Sequence, residues 1–531
     1  EPDSYINPSL SLYLPWPFVW AQDGLAAAGV LRGRATDPLL LGRALSALAA
    51  AAAVLVIGLA ARRTHPGLGL MPPLLLALAP GFVNLAHFAT PEAWLMLGTA
   101  ATVALALGHL EGHVPAAALG LALGLTASTK YTAAALLAPA LLAVLLRPRP
   151  ATRPREWAAL AAAGAALLAA GAPLLLGPGA ALAARLHLPD ARLLPPAEAL
   201  AFVRGLGRAL LLGGGGLLAV GAGAWAWPRL RPLARHEVVV LGAAAAGGFV
   251  AGTPYAVLDP VDFLGGLAFN ALTRHEYKGL VDTGTSFGPY LGLLAAAFTG
   301  PLLAAAVLGA LAAVGRAFRA ERAPLVLLAA ALAPYLLVAS SGHRALRFLA
   351  PALPAAAWLA GLGLAALPRA RGAALALVAG RAALGSLLVI RLFFVDARIL
   401  AARWIEAQVP PGAVVDLIAN VPNYAPTLPP GRTLRQVPVL SREMAPAPRF
   451  VEAADAYPAS GAEWLVLTAA YYQRFLDHPD QQPERAAFFH DLIEGRRAYT
   501  LQARFRQQGW LRPEAEFLDP EILVLRKRPP S

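Results

Sequence analysis

The chain has 531 residues, 58% of them hydrophobic and only 14% charged, with no cysteine and a formal net charge of +13. That composition excludes an ordinary soluble domain, in which about a quarter of residues are charged, and the missing thiols exclude disulfides and thiolate metal sites. The charge is almost all arginine, since lysine occurs only at Lys130, Lys278 and Lys527; membrane topology accounts for such arginines without any nucleic-acid partner.

The chain opens on "EPDSYINPSLSLYLPWPFVW", which joins Glu1 and Asp3 to Tyr5, Tyr13, Trp16, Phe18 and Trp20. A Pro-broken amphipathic stretch rich in aromatic rings suits a membrane interface, and the two acids could also face a substrate. Apolar runs follow, such as "ALSALAAAAAVLVIGLAA" from Ala44 and "LGLLAAAFTGPLLAAAVLGALAAVG" from Leu291. Runs that approach or exceed the roughly 20 residues needed to cross a hydrocarbon core predict membrane helices. About twelve spans are expected, near 37–61, 67–86, 92–109, 114–129, 131–146, 156–176, 206–227, 236–256, 287–315, 323–339, 348–367 and 372–395. Alternate connections carry Arg62 and Arg63, Arg147 to Arg155, Arg229 to Arg235, Arg316 to Arg322, and Arg369 with Arg371. The positive-inside rule sets these in the cytoplasm and the other ends of the spans outside. An even number of visible spans leaves both ends outside, and a chain beginning with Glu1 then predicts one more helix upstream, followed by an acid before Pro2.

After residue 396 charge and aromatics rise, and "GAVVDLIAN", "EWLVLTAAYY", "YTLQARF" and "EILVLRKR" read as strands beside a helix around "PERAAFFHDLIEG". The expected organisation is a first outer loop over 1–36, a transmembrane domain over 37–395, and an extracytoplasmic α/β domain over 396–531.

Four constellations on the outer side carry candidate chemistry. In "HFATPEAWLM", Thr90, Pro91 and Glu92 form a helix-start signature; Glu92 either serves that start or works as an acid, base or cation ligand. In "TASTKYTAAALLAPA", Lys130 either snorkels to the interface or holds a lipid phosphate, with Tyr131 beside it. The loop 257–286 offers "RHEYKG", with Arg274, His275 and Lys278, too sparse for a metal site because no clear third ligand accompanies His275 and Glu276. In "SSGHRALRFLAPALP", His343, Arg344 and Arg347 fall within five positions, and if the span is already helical there, Arg344 and Arg347 share a face.

The order of these motifs resembles the C superfamily of glycosyltransferases, in particular the polyprenyl-phosphate-dependent branch with protein O-mannosyltransferases and aminoarabinose transferases. The segments that carry the resemblance are "NPSLSLYL", "FATPEAWLM", "GLTASTKYTAAALLAP", "GTPYAVLDPVDFL", "HRALRFLAPALP" and, in the tail, "YYQRFLDHP", "FFHDLIEG" and "LDPEILVLRK". It implies a multi-pass helical membrane protein and inverting transfer of a sugar from a polyprenyl-phosphate carrier to a lipid, protein or polysaccharide acceptor on the outer face of the cell membrane. It implies no nucleotide and no firm cofactor, with a divalent cation left open. The family's usual catalytic acid lies upstream of the "NPSLSLYL"-like segment, and Glu1, Asp3 and Glu92 are the candidates for a base that takes the acceptor proton. Lys130, Tyr131, Arg274, His275, Lys278, His343, Arg344 and Arg347 are the candidates to bind substrate, the cations because charge gathers on the leaving phosphate. A transporter or lipid-sugar flippase, with the same charges as a gate, is the alternative; a non-catalytic scaffold is a third reading.

Overall fold

The structure is a computed structural model; it describes residues 8–148, 153–186, 194–273, 285–419, 424–428, 430–442, 445–506 and 515–529, with the side chain of Arg34 left aside. The described residues fall into two units, a helical one up to residue 383 and a sheet-bearing one from residue 384.

In the helical unit and the helix that closes it, apolar stretches dominated by Ala and Leu form helices that satisfy their own backbone. Among the described residues eight helices are long and apolar enough to cross a bilayer, as expected of a multi-pass membrane protein. They include Pro38–Thr64, Pro91–Leu110, Pro154–Leu175, Pro196–Ala226 and Gly300–Ala317. Shorter apolar helices, Ala116–Ala127, Phe287–Phe298 and Ala323–Ala339 among them, lie between these. The Pro91–Leu110 helix and the Leu346–Ala365 stretch are the most enclosed, whereas Pro154–Leu175 and Pro196–Ala226 leave most of their surface outward. Small residues allow the closest approaches: a Cβ added to Gly363 would land on the carbonyl of Ala305, and one on Gly309 on the carbonyl of Leu359.

Three expected spans are corrected. The 67–86 stretch is two short helices, Met71–Ala77 and Pro80–Ala86, because Ala79 is extended (ψ 121°) ahead of Pro80, a residue that disfavours helical geometry in its predecessor. The 287–315 stretch is cut at Thr299, whose φ is +69°, into Phe287–Phe298 and Gly300–Ala317. The 206–227 stretch begins ten residues earlier, at Pro196. The first outer loop folds as Leu10–Tyr13 and Trp16–Ala27, with Trp16, Phe18 and Trp20 exposed.

The arginine-rich connections meet at one end of this unit. Arg63 pairs with Glu111 at 3.2 Å, Arg147 with Glu237 at 3.2 Å, and Arg371 donates to the Gly67 carbonyl at 2.9 Å.

In the second unit five strands, β1 (Val414–Ile418), β2 (Thr433–Gln436), β3 (Trp464–Thr468), β4 (Tyr499–Phe505) and β5 (Ile522–Lys527), pair in the order β2-β1-β3-β5-β4. β1 is parallel to β2 and β3, and β5 is antiparallel to β3 and β4. The four expected strands and the Pro483–Ile493 helix are present, and β2 is the strand the sequence pattern missed. Asp416 of β1 is fully buried and accepts from Arg435 Nε at 2.7 Å, Arg435 Nη2 at 3.1 Å, the Tyr457 hydroxyl at 3.0 Å and the Ala462 amide at 2.8 Å. The Asp416 carboxylate raises the pKa of Arg435, and burial raises that of Tyr457.

Candidate functional site

Two segments of the helical unit repeat one local design. Lys130 is extended (φ −163°, ψ 137°) and leads into the 3-10 turn Tyr131–Leu136, which continues as the helix Leu137–Leu146. Ala345 is likewise extended (φ −152°, ψ 137°) and leads into the 3-10 turn Leu346–Ala352, which continues as Leu353–Ala365. The two turns pack on each other and on the Pro91–Leu110 helix. Residues from three distant stretches therefore meet at one place.

Glu92, in the first turn of the Pro91–Leu110 helix, is 2% exposed, and Lys130 is 8% exposed. The Lys130 ammonium donates to Glu92 Oε1 in a buried ion pair. Glu92 Oε2 and Thr90 Oγ1 are buried as well, and neither has a partner in hydrogen-bonding geometry among the described residues. Thr90 holds the helix-capping position but its hydroxyl makes no cap bond, whereas Pro91 and Glu92 stand in the first turn as the signature predicts, and the Glu92 carboxylate also pairs with Lys130.

Phe348 is the hub of the cations. Lys130 Nζ lies 4.9 Å from its ring centre, the Arg347 guanidinium 5.3 Å, and the His343 ring meets it edge-on at 6.3 Å. Arg344 and Arg347 do not share a helical face, which corrects the expectation: Arg344 precedes the extended Ala345, while Arg347 sits in the first turn of the 3-10 segment. Arg344 Nε instead donates to Ser286 Oγ at 3.3 Å.

The loop carrying these groups is held from behind. Tyr290 is fully buried; its hydroxyl donates to the His343 carbonyl at 2.9 Å and accepts from the Ala345 amide at 3.5 Å. The Ser286 amide donates to the Ala339 carbonyl at 2.8 Å. Tyr290→Phe removes both hydroxyl bonds from a buried site, at a cost of about 1 kcal/mol. If the loop positions the cations, phosphate-ligand affinity of the purified protein should fall about fivefold, measured by titration, with helical content unchanged by circular dichroism.

Tyr131 packs edge-on against Phe263 at 6.4 Å, and Phe263 against Phe249 at 5.9 Å. The first loop docks beside Lys130, where the Leu10 amide donates to the Ser128 carbonyl at 3.0 Å. The quoted "NPSLSLYL" segment is thus anchored two residues from the ammonium. Glu1, Asp3, Arg274, His275 and Lys278 lie outside the described residues. Among the described residues no group of three His, Asp or Glu side chains is placed to hold a metal ion. Sequence reasoning named Glu92 and Lys130 separately but missed their pairing, and missed Phe348, Tyr290 and Ser286 altogether. Phe348 stands inside a quoted motif next to Arg347, which was the only available signal.

The family model described as dolichyl-phosphate-mannose-protein mannosyltransferase matches residues 31–175, the stretch that contains Glu92, Lys130 and Tyr131. That match bears out the resemblance to the C superfamily of glycosyltransferases. No curated protein matches the chain in sequence. Among solved structures the chain is similar to the archaeal oligosaccharyltransferase AglB from Archaeoglobus fulgidus, in complex with an inhibitory peptide and a dolichol-phosphate, at 14% identity and a TM-score of 0.46. That alignment covers 90% of this chain and 64% of the archaeal one, so this chain spans a little under two thirds of that relative's length. It is also similar to ArnT from Cupriavidus metallidurans bound to undecaprenyl phosphate, at 14% identity and a TM-score of 0.37, covering 98% of this chain and 88% of that one.

Proposed function

We propose that this chain, a multi-pass protein resembling the C superfamily of glycosyltransferases, transfers a hexosyl or pentosyl unit from a polyprenyl-phosphate carrier to an acceptor hydroxyl, with inversion at the anomeric carbon. The observation that carries the reading is the gathering of Lys130, His343 and Arg347 around Phe348 beside a buried carboxylate. Arg344 stands on the same loop, and cations gathered here suit a phosphate that gains charge as it leaves. Arginine adds a planar fork able to bind two phosphate oxygens at once. Lys130, Arg344 and Arg347 take the phosphate, with Arg274 and Lys278 as further cations, and Tyr131, His275 and His343 contact the substrate. Glu92, Glu1 and Asp3 are the candidate bases.

The reaction runs on the outer face of the cell membrane, because the basic connections gather at one end of the helical unit and the site is built at the turns between their opposite ends. The acceptor is a lipid, protein or polysaccharide.

Proteoliposomes holding the full-length protein, supplied with polyprenyl-phosphate donors bearing different labelled sugars and an envelope extract as acceptor, test the reading. Labelled product with release of polyprenyl phosphate is expected. Movement of intact donor between leaflets without release would favour a flippase and overturn it. Protease added to intact spheroplasts should remove the domain after residue 396; its protection would overturn the orientation.

A further inference from the structure

We propose that the helix Arg371–Leu392 docks a membrane helix of another protein through Arg381, and that this partner carries one Asp or Glu at its midpoint. The inference rests on the membrane character of the helix and is independent of the transferase reading.

Arg371–Leu392 has 22 residues and opens a stretch apolar enough to cross a bilayer. At 1.5 Å per residue such a helix is about 33 Å long, close to the roughly 30 Å of the hydrocarbon core. Arg381 is its eleventh residue. Whichever end faces the cytoplasm, the side chain starts about 15 Å from either membrane surface. That is farther than an arginine extends, so snorkelling does not return the guanidinium to water. Arg391, in the last turn of the same helix, has that escape.

Nor can the charge be shed, because arginine keeps its proton in proteins. A charge at this depth is costly, and residues that carry one are met facing a bundle interior or paired with an opposite charge. Among the described residues Arg381 makes no hydrogen bond and no ion pair. Val378 and Ala382, 4% and 0% exposed, mark the side of the helix that packs on the core. Arg381 stands at the edge of that side, partly exposed. Leu377 four positions before it and Leu384 three positions after it share its face, and both are exposed. Beside it Gly380 has open space where a Cβ would stand, and a small residue on such a face lets a second backbone come close.

Charge complementarity names the occupant. An anion is needed at mid-depth, whereas lipid phosphates lie at the two surfaces. A second copy of this chain does not supply it: among the described residues the acids of the membrane helices stand in first turns, as Glu92, Glu156, Glu198 and Glu237 do. A carboxylate at the midpoint of another protein's helix does supply it, and the pair relieves the cost that each charge carries alone.

Full-length protein and a synthetic membrane-spanning helix of Leu and Ala with one central Glu, each carrying a fluorophore, are reconstituted in phosphatidylcholine vesicles, and energy transfer is followed as the peptide-to-lipid ratio rises. The Glu peptide should associate about tenfold more tightly than the same peptide with Gln. The preference should vanish in Arg381→Leu, which makes an apolar helix more apolar and so keeps its insertion, and should persist in Arg391→Leu. In native membranes a photoreactive benzoylphenylalanine in place of Leu384 should cross-link, only when Arg381 is present, to an apolar segment that contains an Asp or Glu. Equal association of the Glu and Gln peptides with wild type overturns the inference. So does a cross-link that reaches lipid alone or that is unchanged in Arg381→Leu.

Discussion

Arg347→Ala in the full-length protein should lower sugar transfer by about 10² or more, the scale seen when one preorganised donor to a developing anion is removed. Arg347 belongs to the first turn of the 3-10 segment Leu346–Ala352 and shares the Phe348 ring with Lys130, so on the proposed reading its loss removes the cation that shares this ring with Lys130. Arg347→Lys should recover only part, because a point charge cannot reproduce a two-pronged contact. Arg344→Ala should cost less, since Arg344 is turned toward Ser286. Turnover at limiting donor, compared with thermal stability in detergent, separates the catalytic effect from misfolding. Normal turnover by a well-folded Arg344→Ala/Arg347→Ala variant would reduce both to membrane anchors.

Asp416→Ala should unfold the sheet-bearing unit more easily by about 3 kcal/mol. Removing the carboxylate takes from the Tyr457 hydroxyl and the Ala462 amide the acceptor they share, and each buried group that loses its acceptor costs about 1–3 kcal/mol. Arg435 contributes little to this figure, because its side chain is half exposed and regains water. Asp416→Asn should be nearly as damaging, since its amide brings donors to a point where three groups already donate. For a unit of this size the midpoint should fall by roughly 10 °C, read from the temperature at which protease begins to clip the tail of the full-length protein. An unchanged midpoint would mean that the network is redundant.

The sheet unit shows how far pattern reaches. β1, β3, β4 and β5 were legible because apolar alternation and short β-branched runs are local properties of the chain. β2, "TLRQ", has only one apolar residue and is a strand because β1 lies beside it. The site divides in the same way. His343, Arg344 and Arg347 drew notice as charges at the edge of an apolar run, and Glu92 and Lys130 for the same reason, so the residue types were readable one by one.

Sequence alone determined that the chain carries a set of membrane helices whose alternate connections are rich in arginine, because transfer of apolar side chains and the exclusion of charge from hydrocarbon act residue by residue. The break at Ala79 was signalled locally by Pro80, whereas the break at Thr299 and the 3-10 turns that open two spans depend on what each segment packs against. Tertiary structure alone decided that Glu92 and Lys130, 38 positions apart, share one ion pair, that Phe348 collects the cations, and that Tyr290 pins their loop from 53 positions away. The reason is physical: a charge can enter a buried site only with a partner, and the partner's identity is set by which helix ends meet, a property of the packed bundle and not of any one stretch of chain.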